Sequence, residues 1–137
     1  MSITITKIKL GEFFPYDGSW NPRGDDAGGF DICIWFKNDS NKTIKYITFI
    51  VTAYNRVGDP AICEVNNTAT KRLKFVGPVE SQEITNGIWN TAWYNYTLST
   101  AKIEKIEIEY MDGSTEEQTT GLEVNPQSGK KRPWWQF

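Results

Sequence analysis

The stretch "PYDGSWNPRGDDAGG" (residues 15–29) holds the most conspicuous acidic grouping of any loop in the chain, Asp17, Asp25 and Asp26. Carboxylates gathered on a loop offer two kinds of chemistry, general acid–base work and oxygen ligation of calcium. Their spacing lacks the alternating acids and the distal glutamate of a calcium loop. Four glycines and two prolines surround them, a setting in which short acidic side chains satisfy turns. Histidine is absent from the sequence. That removes Ser–His and Cys–His nucleophilic pairs, the imidazole general base and histidine metal sites. The expectation is a non-catalytic protein with no cofactor and no metal.

Two other groupings suit contact rather than catalysis. The acidic loop contains Arg23-Gly24-Asp25, a tripeptide that adhesion receptors read on exposed turns, and Trp20 stands beside it. Loops longer than ~12–15 residues are commonly functional, so Trp20 and Arg23 are candidate partner contacts. "IWNTAWYNY", after the turn-like "TNG", concentrates Trp89, Trp93, Tyr94 and Tyr96. Such rings could form a platform for a sugar or a protein. The alternative is that they plug the end of a β-sandwich where the chain crosses between sheets, and the plug is the preferred reading.

The closing residues "KKRPWWQF" add Trp134, Trp135 and Phe137 behind Lys130, Lys131 and Arg132. Clustered apolar side chains at a chain end fold back on their own domain or dock into a neighbour. The basic triplet would act as a spacer or pair with Glu116 and Glu117. Lys71, Arg72 and Lys74 read as a solvated strand face. Lys plus Arg number 15 against 17 Asp plus Glu, a net charge of -2. That balance argues against a nucleic-acid partner or an anionic membrane surface.

The elements that would position these groups are strands. Ile3, Ile5, Ile8 and Leu10 alternate with polar residues except for a phase change at Thr6 and Lys7, the step a β-bulge makes. "FDICIWFKN" places Phe30, Ile32, Ile34 and Phe36 on one face, and "TIKYITFIVTAYN" does the same with Ile47, Phe49, Val51 and Ala53. "RVGDP" reads as a turn and "AICEV" as a returning strand, giving a long hairpin over residues 43–66. "KRLKFVGPV" adds a strand that Pro78 ends. In the last hairpin Asp112 and Gly113 make the turn, and the polar strand after it looks like a protected sheet edge. Together these predict an all-β, antiparallel two-sheet sandwich of about seven or eight strands. It would occupy residues 1–129 as one domain, with 130–137 as a basic-aromatic docking tail.

The block "WFKNDSNKTIKYITFIVTAYNRVGDP", followed by "WYNYTLSTAKIEKIEIEYMDGS", resembles the FxLYD-type immunoglobulin-like modules of bacteria. The resemblance rests on Asn38, Ser40, Asn41, Ile44, Ile47, Val51, Tyr54, Gly58 and Asp59, with Tyr110, Asp112 and Gly113 in the final hairpin. It implies an immunoglobulin-like fold in an accessory or phage-borne binding domain without a catalytic site. The apolar run "YITFIVTAY" falls short of the ~18 residues of a membrane span, and "MSITITKIKLGEFF" lacks the pattern of a secretory signal. The expected location is therefore cytoplasmic or virion-associated, with Cys33 and Cys63 as reduced thiols on strands. The four Asn-X-Ser/Thr sequons read as composition. The functional expectation is a protein-binding component of a larger assembly, through a protein partner or self-association. The alternatives are a carbohydrate-binding module that takes a glycan on Trp89, Trp93 and Tyr94, and a small phage effector that inhibits a host enzyme or captures a small ligand.

Overall fold

The computed structural model describes residues 2–14 and 16–124. They form β1 (Ile3–Phe14), β2 (Ser19–Asn21), β3 (Gly29–Asn38), β4 (Ile44–Asn55), β5 (Thr70–Val79), β6 (Ile84–Tyr94), β7 (Leu98–Tyr110) and β8 (Thr115–Val124), with no helix among the described residues. One antiparallel sheet has the order β2-β1-β3-β6 and the other β5-β4-β7-β8. With β2 set aside as a short return on β1, three strands face four. The chain crosses between sheets after β3, β5 and β6, which makes an immunoglobulin-like sandwich.

The period-2 patterning decides which faces meet. Ile32, Ile34 and Phe36 of β3 and Ile47, Phe49, Val51 and Ala53 of β4 are buried in one core cluster, together with Ile103, Ile106 and Ile108 of β7. Phe36 meets Phe49 at 5.4 Å and the edge of Phe75 at 5.2 Å between ring centroids, so rings from β3, β4 and β5 lock the two sheets together. Burial of each such ring stabilises by roughly 1.5–3 kcal/mol. Two bulges keep the pattern in phase. The first lies between Ile5 and Lys7 of β1, where the sequence predicts it, and the second between Ile103 and Lys105 of β7.

Asp31 sets a further registration. One carboxylate oxygen accepts the N–H of Phe13 at 2.9 Å and the other that of Thr91 at 2.6 Å, so one β3 side chain holds irregular points of both its neighbours.

The open sides of the sandwich are closed by side chains that bond to the backbone of the opposite sheet. On one side the Gln118 carbonyl of β8 accepts from the N–H groups of Ser2 at 3.1 Å and Ile3 at 3.0 Å, and its amide donates to the Ile3 carbonyl at 2.7 Å. On the other side the Trp89 indole donates to the Lys74 carbonyl at 3.2 Å. Replacement of Gln118 by Ala leaves the buried Ile3 groups without partners and is expected to cost ~1–3 kcal/mol. In urea unfolding the midpoint should fall with the slope unchanged.

Four expectations need correction. The 15–29 segment is not one open loop, because Ser19–Asn21 pairs with Glu12–Phe14. Gly11 permits that return: its φ is +152°, and a Cβ there would lie 2.3 Å from the Asn21 carbonyl oxygen. "AICEV" is not a strand, and no hairpin runs over residues 43–66. β4 pairs with β5 instead, and beyond β4 only Tyr54 and Pro60 form a bridge. Residues 61–69 are tied to both sheets, by the Ala61 N–H to Ala53 and the Glu64 N–H to Tyr94, and turn back at Asn67, whose φ is +57°. Ala61 and Cys63 are buried because this segment plugs the sandwich end. Cys63 therefore lies off any strand, while Cys33 sits in β3; both thiols are free and buried. "TNG" is no turn either but part of β6. Gly87 makes room there for the Trp89 ring, which would lie 2.6 Å from a Cβ at that position.

Pro78 stands one residue before the end of β5, and β8 is a sheet edge, both as expected. The tail assigned to 130–137, with Trp134, Trp135 and Phe137, lies outside the described residues.

Candidate functional site

The outer face of the β2-β1-β3-β6 sheet gathers aromatic, basic and apolar groups in cross-strand rows. Lys9, Cys33 and Ile88 form one row, Lys7, Trp35 and Asn86 the next, and Thr4, Lys37 and Ile84 the third. Trp35 is the centre. The Lys7 ammonium lies 5.1 Å from its ring centroid and that of Lys9 5.9 Å, while Lys9 also sits 4.0 Å from the Trp20 ring. Cation–π contacts of this kind contribute roughly 0.5–1 kcal/mol each at exposed sites. They fix the two lysines over the rings. Beneath the row Cys33 is fully buried, and burial, partly offset by the Asn86 hydrogen bond and the two lysines, pushes its thiol pKa up. It packs as a small apolar group.

β6 borders this face and is an edge strand. None of its 11 residues is charged, and Ile84 and Ile88 are 61% and 48% exposed. Edges of natural sheets are usually guarded by charge, proline or shortness. The other three edges follow that rule: β2 has 3 residues, β5 carries Lys71, Arg72, Lys74 and Pro78, and β8 carries Glu116, Glu117 and Glu123. β6 is the long edge without such a guard.

The residues picked out from the sequence are dispersed. Trp20 is half-buried on the lysine-rich face and Arg23 is exposed in the following turn. Trp93 is 0% exposed and donates to the Ala69 carbonyl at 3.0 Å. Trp89 points inward, with its ring centroid 5.8 Å from that of Phe49, and Tyr94 packs partly buried against the core. These rings form no surface platform, and Trp93 is removed from any partner contact. Trp35, Ile84 and Ile88 were not singled out from the sequence. The signal available for Ile84 and Ile88 was the absence of charge over residues 84–94; Lys7 and Lys9 of β1 reach Trp35 only through strand pairing.

The acids of the 15–29 segment are turn formers. Asp25 accepts the N–H groups of Ala27 at 2.8 Å and Gly29 at 2.7 Å. Asp17 accepts the Ser19 hydroxyl at 2.7 Å and its N–H at 3.0 Å, bonds that hold its carboxyl below the usual range. No group of three potential ligands that could hold a metal ion occurs among the described residues.

A shallow groove of about 280 Å³ marks the outer face of the other sheet, lined by Tyr46, Thr48, Lys74, Glu107, Glu109 and Glu117 among others. Its charges largely answer one another: Arg72 pairs with Glu107, Lys105 with Glu117 at 3.6 Å, and Lys74 lies 4.0 Å over the Tyr46 ring. Exposed pairs of this sort contribute ~0–1 kcal/mol and read as a solvated face.

At the β7–β8 turn Asp112 accepts the Ser114 hydroxyl at 2.5 Å and its N–H at 2.9 Å, with Lys42 at 3.2 Å, and these hold its carboxyl pKa at about 2. A folded-state pKa below the ordinary 3.8 means that the stabilisation is complete above that value and is lost as pH falls from 3.8 toward about 2. Asp112→Asn should flatten the dependence of Tm on pH across that window and leave it unchanged near neutrality.

No known protein family matches this chain, and no curated protein matches it. Among solved structures it is similar to an X-ray structure of a structural genomics consortium target, with 10% identity and a TM-score of 0.44 over 90% of this chain and 86% of that one. A likeness at that level carries no argument about function.

Proposed function

We propose that this chain is a non-catalytic protein-binding module whose contact surface is the β6 edge with the adjoining Trp35 face. The observation that carries this reading is the unguarded edge: a charge-free strand of 11 residues that pairs with β3 on one side and exposes Ile84 and Ile88. Strand addition at such an edge draws affinity from main-chain hydrogen bonds and specificity from alternate side chains. Lys7, and Lys37 whose pairing with Asp39 is long at 3.8 Å, favour a partner segment that carries acids.

The role that fits is a component of a larger assembly, such as a virion or an accessory complex, in keeping with the resemblance to FxLYD-type modules. The glycan reading depended on Trp89, Trp93 and Tyr94, which pack inward. A photo-crosslinking amino acid at position 88, in cells of the natural source, should capture one discrete protein. The same group at Thr119 on the other sheet should not. Equal labelling from both positions, or none at 88, would sink the proposal. Capture of a host enzyme alone would favour the effector reading over the assembly role.

A further inference from the structure

We propose that the strand added at the β6 edge is β6 of a second copy of this chain, antiparallel about a two-fold axis at Asn86, so that two sandwiches share one continuous sheet. This names the partner of the edge described above and rests on that reading.

The phase of the ladder decides which groups the edge offers. The Asn38 N–H donates to the Glu83 carbonyl at 3.0 Å, in register with the Lys37–Ile84 pair, so residues 83, 85, 87 and 89 turn their main-chain groups toward β3. Ile84, Asn86 and Ile88 therefore turn theirs outward, where no strand pairs with them among the described residues. Two residues that face each other across an antiparallel joint must share this phase. The straight run is short, since the register slips between Phe30 and Ile32 and Thr91 has a φ of +49°. Within it one register uses all three outward residues: Ile84 opposite Ile88, Asn86 opposite Asn86, and Ile88 opposite Ile84. These pairs exchange about six main-chain hydrogen bonds, and they set the exposed isoleucines of the two copies against each other. A shift of two residues either way loses one pair.

Charge on the same flank points to a second copy. Trp89 bonds the Lys74 carbonyl and Gly87 lies against Phe75, so β5 descends along the flank as β6 ascends. One end of the flank thus holds Glu80 and Glu83 and the other Lys71 and Lys74, and none of these four forms an ion pair among the described residues. Between the two ends, residues 75–79 and 84–88 carry no charge. A two-fold axis at Asn86 reverses the flank and brings the acidic end of each copy alongside the basic end of the other. The joint also continues the row Lys7, Trp35, Asn86 into Asn86, Trp35 and Lys7 of the second copy, which leaves its lysines at the two far ends.

A joint of this length is at the small end of specific interfaces and sets the dissociation constant at roughly 1–100 μM. Sedimentation of the purified chain across that range should show its mass double with concentration. Ile84→Lys/Ile88→Lys sets like charges opposite each other and should raise the dissociation constant at least about tenfold with an unchanged far-UV spectrum. Ile84→Lys/Ile88→Glu sets opposite charges in the same pairs and should associate more tightly than the Lys/Lys variant, by a margin that salt reduces. The single Ile88→Lys supplies the comparison with the parent if a double variant does not fold. A parent that stays monomeric, a dimer that the variants leave unchanged, or equal weakening by both double variants would overturn the proposal. The crosslinker at position 88 separates that failure from failure of the edge itself. A monomeric chain that still captures a different protein there keeps the edge and loses the second copy, while no capture removes both.

Discussion

Trp93→Ala is expected to cost ~3–5 kcal/mol, and to lower Tm by roughly 10–20 °C in a domain of this size. The side chain is fully buried and lies opposite Phe30 in the register of β3 and β6, near the point where residues 61–69 plug the sandwich end. Its removal opens a cavity that rigid strands on either side cannot fill, and the cost therefore includes lost contacts as well as lost burial. It also strips the Ala69 carbonyl of its indole donor, at 3.0 Å in the native chain. Trp93→Phe separates the two contributions. It keeps most of the ring and should cost about 1–2 kcal/mol, largely the unmet hydrogen bond. Denaturant unfolding of both variants checks this, and a loss below about 1 kcal/mol for the Ala variant would mean that the ring is not core.

Asn38→Leu should be nearly as damaging, at about 2–4 kcal/mol. Asn38 is one of the few buried polar residues, and its amide donates to the carbonyls of Lys42 at 2.8 Å, Val79 at 3.1 Å and Glu80 at 3.2 Å. Its own carbonyl accepts the Ser40 N–H at 3.0 Å and hydroxyl at 2.6 Å. One side chain thus joins the β3–β4 turn to the end of β5, and an apolar replacement of similar volume leaves several buried groups unpaired. Asn38→Asp tests the chemistry rather than the shape. Its carboxylate would face three carbonyl oxygens, so its folded-state pKa is raised, and this variant should gain stability as pH falls, opposite in sign to Asp112. A flat pH response would argue that Asn38 matters only as packing.

What could be read from the sequence is what period and turn chemistry encode. The alternation in β3 and β4, the β1 bulge at Thr6 and Lys7, the Asp112–Gly113 hairpin and the acidic edge of β8 all follow from local rules, because each rests on neighbours in sequence. The failures share one cause. Ala61 and Cys63 are buried at alternate positions like the inward residues of a strand, with Ile62 47% exposed between them, yet they alternate because a plug also has an inside and an outside. "TNG" has turn composition, but Gly87 is there to let Trp89 lie across it, a demand made by a ring two residues away and by Phe75 of the other sheet. The rows of the Trp35 face combine β1, β3 and β6, which only tertiary pairing brings together, so the sequence could not place Lys7, Lys9, Ile84 and Ile88 around Trp35. Trp93 was legible as a packing residue and illegible as a deeply buried one, since its neighbours Asn90 and Asn95 look like surface.

The contact between Gln118 and Ile3 has a mechanical meaning. Ser2 and Val124 lie on adjacent edges of different sheets, so tension applied across the described ends pulls one sheet away from the other rather than unzipping either. The load falls first on the side-chain hydrogen bonds that Gln118 and Glu116 make to Ser2 and Ile3, while the ladders within each sheet stay slack. Trp89, bonded to Lys74 on the far side, becomes the pivot. A sandwich fastened in this way yields first along the β1–β8 seam, while the ties of Trp89, Asn38 and the 61–69 plug hold the two leaves together on the other sides.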